Sequence, residues 1–236
     1  MSAISEEPEL KTRRQRRTKG GLSCFNEFAK EYDAWFDREG KLIFFIEAQA
    51  FRVLLPSLPK PWLEIGVGSG RFAQALGIET GIDPSARLVR MARKRGINAF
   101  VSRGEERLFD AESFGTVFLI VTLCFLDSPL KVLKEARRIL MPGGKIVLGL
   151  VLKESPWGKF YQQKKAEGHR FYKYATFYSF VEVAKLLEQT GFTTERTISA
   201  LFQKPEEARY VEEPKEGYFP EAGFTVIVAD KPVKDG

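Results

Sequence analysis

Residues 62–72 read Trp-Leu-Glu-Ile-Gly-Val-Gly-Ser-Gly-Arg-Phe. A short apolar run that ends in glycines reads as a buried parallel strand stopping in a tight turn. A helix can open from Ser69. Gly66, Gly68 and Gly70 stand where backbone must turn sharply and admit a ligand without a Cβ in the way. Strand, turn and helix N-terminus together make a nucleotide-binding crevice in an open α/β sheet.

Spacing narrows the ligand. The dinucleotide fingerprint G-x-G-x-x-G/A would place Arg71 at its third position, so that pattern is broken. A second apolar step ends in Gly-Ile-Asp-Pro-Ser, and Asp83 at the end of a second strand is placed to accept both ribose hydroxyls. With no phosphates to hold, Glu64 beside the glycines suits a ligand that carries an ammonium group. S-adenosylmethionine fits both demands. The competing reading is a glycine turn in another Rossmann-like domain.

These residues resemble the class I S-adenosylmethionine-dependent methyltransferases, most closely the small-molecule, type 11 subgroup that includes quinone-biosynthesis enzymes. The resemblance spans roughly 25–232. It implies an α/β, Rossmann-like, seven-stranded and mostly parallel sheet with helices on both faces and an antiparallel last strand inserted beside the fifth. It also implies one methyltransferase domain over 25–236, with a helical cap at 25–58 and an acceptor-side insertion at 153–180.

Composition is ordinary for a globular chain, with 44% hydrophobic and 29% charged residues, enough for one good core. No apolar run approaches the ~20 residues a spanning helix requires. No apolar signal core is present either, so the expected location is cytoplasmic. Cys24 and Cys124 imply no disulfide framework, and one histidine with two cysteines argues against a metal site. Residues 1–24 form a basic leader whose 11–19 stretch holds six basic residues in nine. It reads as a solvated tail, with contact to RNA or an anionic surface as the alternative. No aromatics interleave there to stack on bases.

The remaining chain supplies candidates in order. Phe25, Phe28, Ala29, Tyr32 and Trp35 or Phe36 share a helical stripe. In the family such a helix lies over the cofactor, which makes Tyr32 and Trp35 candidates to face the sulfonium, or else core residues. A second helix is expected over 41–55 and a short one ending near Gly77. Val67 and Pro84 flank the cofactor contacts, and a helix follows Ser85 as far as Gly96. By the resemblance Gly104 and Glu105 bound the adenine, with Glu106 as the other available acid and Arg103 where many relatives carry aspartate. The strand from Thr116 brings Ile120 under the cofactor. Cys124 and Phe125 then occupy positions where relatives place a polar residue, so this loop offers no side-chain base.

A helix from Ser128 ends at Met-Pro-Gly-Gly, with a fifth strand from Lys145. An exposed helix is expected over 154–168. Residues 169–180 then hold six aromatics in twelve positions. Phe171, Tyr172, Tyr174, Phe177 and Tyr178 are pocket or lid candidates, the alternative being a cluster capping the core. His169 is either a general base or a packing residue. A helix over 179–189 and strands near 194–202 and 224–230 complete the sheet.

The reading is methyl transfer to a small-molecule acceptor, with Trp35, Phe125, Tyr172 and Tyr174 at the acceptor side and no assigned catalytic acid or base. The rivals are an RNA or protein methyltransferase that uses the basic leader, and a non-catalytic cofactor-binding module. No Asn-Pro-Pro-Tyr type tetrapeptide supports the first rival.

Overall fold

The computed structural model describes residues 24–233; the basic stretch at 11–19 lies outside them. Parallel strands β1 (Trp62–Ile65), β2 (Thr80–Asp83), β3 (Asn98–Val101), β4 (Phe114–Ile120) and β5 (Leu140–Leu150) are followed by β6 (Thr193–Ala200), β7 (Lys215–Glu216) and β8 (Phe224–Asp230). Their order across the eight-stranded sheet is β3-β2-β1-β4-β5-β8-β6-β7. β8 runs antiparallel between β5 and β6, as the resemblance implies. The expected seven strands become eight because Glu216 and Lys215 pair with Ile198 and Ser199 at the edge. Two residues in a charged, proline-marked stretch carry no period-2 signal, which is why the sequence hides them.

The helices are α1 (Ala29–Trp35), α2 (Lys41–Arg52), α3 (Arg71–Leu76), α4 (Ala86–Lys94), α5 (Pro129–Ile139), α6 (Pro156–Ala166) and α7 (Phe180–Gln189). Alternation along the strands decides which helix covers which face. Phe118, Val147, Val226 and Val228 join Ile46 and Phe51 of α2, Phe72 of α3 and Val89 of α4. Val117, Leu119, Ile146, Leu148 and Ile227 meet Val132 and Leu133 of α5 and Val183 and Leu187 of α7. Every residue of β4 is buried, as a central parallel strand covered on both faces requires.

Several boundaries depart from expectation. β4 begins at Phe114 and β5 at Leu140, because Phe114 pairs with Leu140 before the register shifts to Thr116 on Lys145. The expected exposed helix is α6, yet Trp157 is buried and its Nε1–H donates to the Gln203 carbonyl at 2.7 Å. A Cβ on Gly158 would lie 1.9 Å from the Leu152 carbonyl oxygen, so this turn of α6 is seated directly on the end of β5. No described helix is long and apolar enough to cross a membrane.

Candidate functional site

Strand order reverses between β1 and β4, and a cleft of about 1140 Å³ opens at their carboxyl ends. Tyr32, Trp35, Glu64, Gly66, Val67, Gly68, Asp83, Pro84, Gly104, Glu105, Ile120, Phe125, Tyr172 and Tyr174 all line it. Gly70 is the exception. It is the left-handed residue before α3, and a Cβ there would meet Ala92 Cα at 3.0 Å and Ile97 Cγ1 at 3.2 Å. Its lack of a side chain lets α3 pack on α4, and it is not among the residues that line the cleft. Gly66 and Gly68 do border the cleft. A Cβ on Gly66 would lie 2.3 Å from Thr122 Oγ1, so the end of β4 approaches the turn only because it is glycine. Gly68 adopts φ 52 with only the Tyr32 ring, at 3.6 Å, near a would-be Cβ.

Two acids meet under this turn. Gly70 cannot cap α3 with a side chain, and Glu64 does so from β1 by accepting the Ala73 N–H. Glu64 is 2% exposed and its Oε2 has no hydrogen-bond partner among the described residues. Burial first, then the neighbouring Asp83, pushes its carboxyl well up. Asp83 is 9% exposed; its Oδ2 accepts the Gly68 N–H at 3.0 Å and its Oδ1 accepts the Ser85 N–H at 2.8 Å. Burial raises its carboxyl to about 6 although both hydrogen bonds pull the other way. The Tyr32 hydroxyl is raised by burial and then by these same acids, so α1 lies over the pair.

Farther along, Arg103 donates to Glu105 at 2.8 Å and to Asp127 at 2.9 Å. Glu106 accepts from the Ser102 hydroxyl at 2.8 Å and the Arg103 N–H at 3.1 Å. Of the two candidate acids, Glu105 borders the cleft and Glu106 closes the turn. Past β4, Val121 holds φ 50, an unusual conformation for a β-branched residue, and it too lines the cleft. Cys124 is beside it, its thiol pushed up to about 12 by burial, far from a reactive thiolate.

The other end is aromatic. Phe25 sits edge-on to Phe125 at 5.0 Å and stacks on Phe171 at 5.2 Å, while Tyr32 meets Phe171 at 5.8 Å. Tyr172 packs against Tyr161 at 4.4 Å and stacks on His169 at 4.7 Å. Phe177 and Tyr178 also reach the cleft. His169 borders it with its imidazole lowered by burial, Arg170 and Lys164, and its Nδ1 accepts the Phe171 N–H at 3.4 Å. Tyr161 and Glu47 are among the cleft residues to which the sequence analysis gives no site role. Tyr161 lies in α6, whose sequence reads as an exposed helix. Glu47 interrupts the apolar stripe Ile43, Ile46, Ala50 and Phe51 of α2, a signal that was available. Arg71, which breaks the dinucleotide spacing, is spent on the protein itself: its Nε donates to Asp33 Oδ1 at 2.8 Å and its Nη1 to Asp37 Oδ1 at 2.7 Å.

The acids, glycines and half-open end of this cleft fit S-adenosylmethionine: the unpartnered Glu64 oxygen suits a cation, and Asp83 keeps lone pairs for hydroxyls. Among the described residues no group of three or more His, Cys, Asp or Glu is placed to hold a metal.

Known proteins resemble this chain. The family described as "Methyltransferase domain" matches residues 63–148. An uncharacterized protein of Methanocaldococcus jannaschii is 38% identical over 210 residues, which is 89% of this chain and 100% of that one. A crystal structure from Thermotoga maritima, described as a "SAM-dependent methyltransferase, possible histamine N-methyltransferase", is 38% identical with a TM-score of 0.83, covering 89% of this chain and 99% of its own. A Haloferax volcanii methyltransferase solved with the Trm112 activator shares the fold at a TM-score of 0.65 and 18% identity, over 92% and 99% of the two chains.

Proposed function

The chain belongs to the class I S-adenosylmethionine-dependent methyltransferases, and from that premise we propose that it methylates a small molecule held at the aromatic end of the cleft. One observation carries the reading: a single cleft joins the Glu64–Asp83 end to Tyr161, Tyr172 and Tyr174. Donor and acceptor then meet in one enclosure. When bound, S-adenosylmethionine supplies an electrophilic methyl group on a sulfonium. Glu64 faces its ammonium, Asp83 its ribose hydroxyls, Gly104 and Glu105 its adenine, and Gly66, Gly68 and Ile120 border its path. Tyr32 and Trp35 close the site from α1, as core-packed residues that also touch the cleft. Alignment and exclusion of water supply the acceleration in this reading, since the donor is already activated.

A macromolecular acceptor is the second reading, resting on the basic leader. An aromatic enclosure deep between α2, α6 and the 169–178 segment favours a small, flat or apolar acceptor instead.

Thermal denaturation with S-adenosylmethionine, its demethylated product and NAD checks the cofactor half. The first two should raise Tm by mass action and NAD should not. Asp83→Ala should weaken cofactor binding by ~2–4 kcal/mol, since two hydroxyls lose a charged acceptor. Unchanged affinity in calorimetry removes Asp83 from the site. Product formation with small acceptors, against bulk RNA and protein, decides the acceptor half.

A further inference from the structure

Glu47 enters the acceptor end of the cleft from α2 and is 6% exposed. Among the described residues it makes no hydrogen bond and no ion pair. Its carboxyl is raised to about 8 by burial alone, so no opposite charge stands near enough to offset the cost. Its influence falls on the hydroxyls of Tyr161 and Tyr172, which line the same cleft. Tyr172 in turn neighbours Tyr32 and Cys124, which border the cofactor end. The acid therefore shares one cleft with the residues that border the cofactor end.

Nothing in the fold asks for an acid here. The stripe around Glu47 is apolar, and burying a charge without a partner costs several kcal/mol. Four of the cations that border the cleft are engaged elsewhere, Arg71 by Asp33 and Asp37, Arg103 by Glu105 and Asp127, Lys164 by Glu167 and Arg209 by the Ala208 and Glu206 carbonyls, and burial is the one influence on Glu47. Tyr161 and Tyr172, whose hydroxyls feel Glu47, line the same cleft, and aromatic faces attract cations. An acid with no counter-ion beside aromatic rings suits a positively charged nitrogen.

We propose that the methyl acceptor is a primary or secondary amine, bound as the counter-ion of Glu47, which also removes its proton. The inference rests on the methyltransferase reading above. The ammonium N–H bond breaks and its proton passes to the Glu47 carboxylate. The freed nitrogen lone pair forms the N–C bond as the methyl C–S bond breaks, its electron pair remaining on sulfur. The methylated ammonium then loses a proton to solvent, as does Glu47 on release.

The test uses the full chain with phenethylamine, tyramine and tryptamine, against p-cresol and 4-hydroxyphenylacetate as neutral and acidic counterparts. The expected result is product formation from amines in preference to the counterparts. Glu47→Gln should lower amine kcat/KM roughly 100-fold and leave S-adenosylmethionine affinity within about twofold, as for a lost charge-assisted contact. Its unliganded Tm should equal or exceed that of the wild type at pH 8, since an uncompensated acid is gone. Preference for p-cresol or the acid overturns the proposal. So does failure of every amine in a protein that binds the cofactor, or amine turnover that Glu47→Gln leaves unchanged. A variant that loses Tm with its amine preference intact makes Glu47 structural and also overturns it. A wild type that binds no S-adenosylmethionine defeats the methyltransferase reading itself.

Discussion

Asp83 is buried beneath the glycine turn with two backbone N–H groups on its carboxyl, yet burial dominates and raises it to about 6 from 3.8. The folded protein therefore binds this proton more tightly than the unfolded chain. The stability tied to it is fully present below pH ~4 and lost as pH rises through ~6. Cofactor binding runs the other way, because only the ionised carboxylate accepts both ribose hydroxyls. The Tm increment produced by the demethylated cofactor product should shrink between pH 7.5 and 5.5, while the unliganded Tm holds or rises. Asp83→Asn should show a small increment with little pH dependence over that range. An increment that grows on acidification would mean Asp83 acts in its protonated form. Glu64, raised in the same sense, adds to the unliganded trend.

Helix α1 carries Tyr32 over the two acids, and at seven residues it is too short to persist alone. Arg71 and Arg95 hold it down. Asp33 accepts from Arg71 Nε and Arg95 Nη2, each at 2.8 Å, while Asp37 takes the outer side of the Arg71 guanidinium. Burial would raise the Asp33 carboxyl, but the Arg71 and Arg95 hydrogen bonds outweigh it and hold it at about 2. Asp33→Ala should cost about 2 kcal/mol, between the values for exposed and buried pairs, and should weaken cofactor binding by loosening α1. Asp37→Ala, at an exposed carboxylate, should leave Tm nearly unchanged. Chemical denaturation and calorimetry on the two variants check the contrast. Equal effects would show that the outer contact holds the helix.

In the proposed function the cleft divides, at the scale of the whole molecule, into a cofactor half on the sheet ends and an acceptor half walled by α2, α6 and the 169–178 segment. Tyr172→Ala and Tyr174→Ala should reduce methyl transfer far more than cofactor affinity, because both residues line the cleft at the end the proposal gives to the acceptor. Phe51→Ala is the control: a fully buried ring packed on Phe72, Phe118 and Phe224 should cost ~3–5 kcal/mol. Tm, cofactor affinity and turnover measured on all three variants separate the roles. Loss of Tm in the tyrosine variants without selective loss of turnover would return those tyrosines to the core.

The sequence by itself determined seven of the eight strands, the glycine turn and the two acids beneath it. Apolar runs, glycine punctuation and helical stripes act through neighbours a few residues apart, so they are written locally. Glu64 and Asp83 were legible for the same reason, each ending or occupying a strand whose position the turn dictates. Tertiary structure alone decided that Gly70 serves helix packing, that Arg71 clamps α1, and that Tyr161 belongs to the cleft. It also set Glu47 among Tyr161 and Tyr172. Those groups come from segments far apart in the chain, and only burial of the faces that carry them brings an uncompensated acid and an aromatic wall to one place.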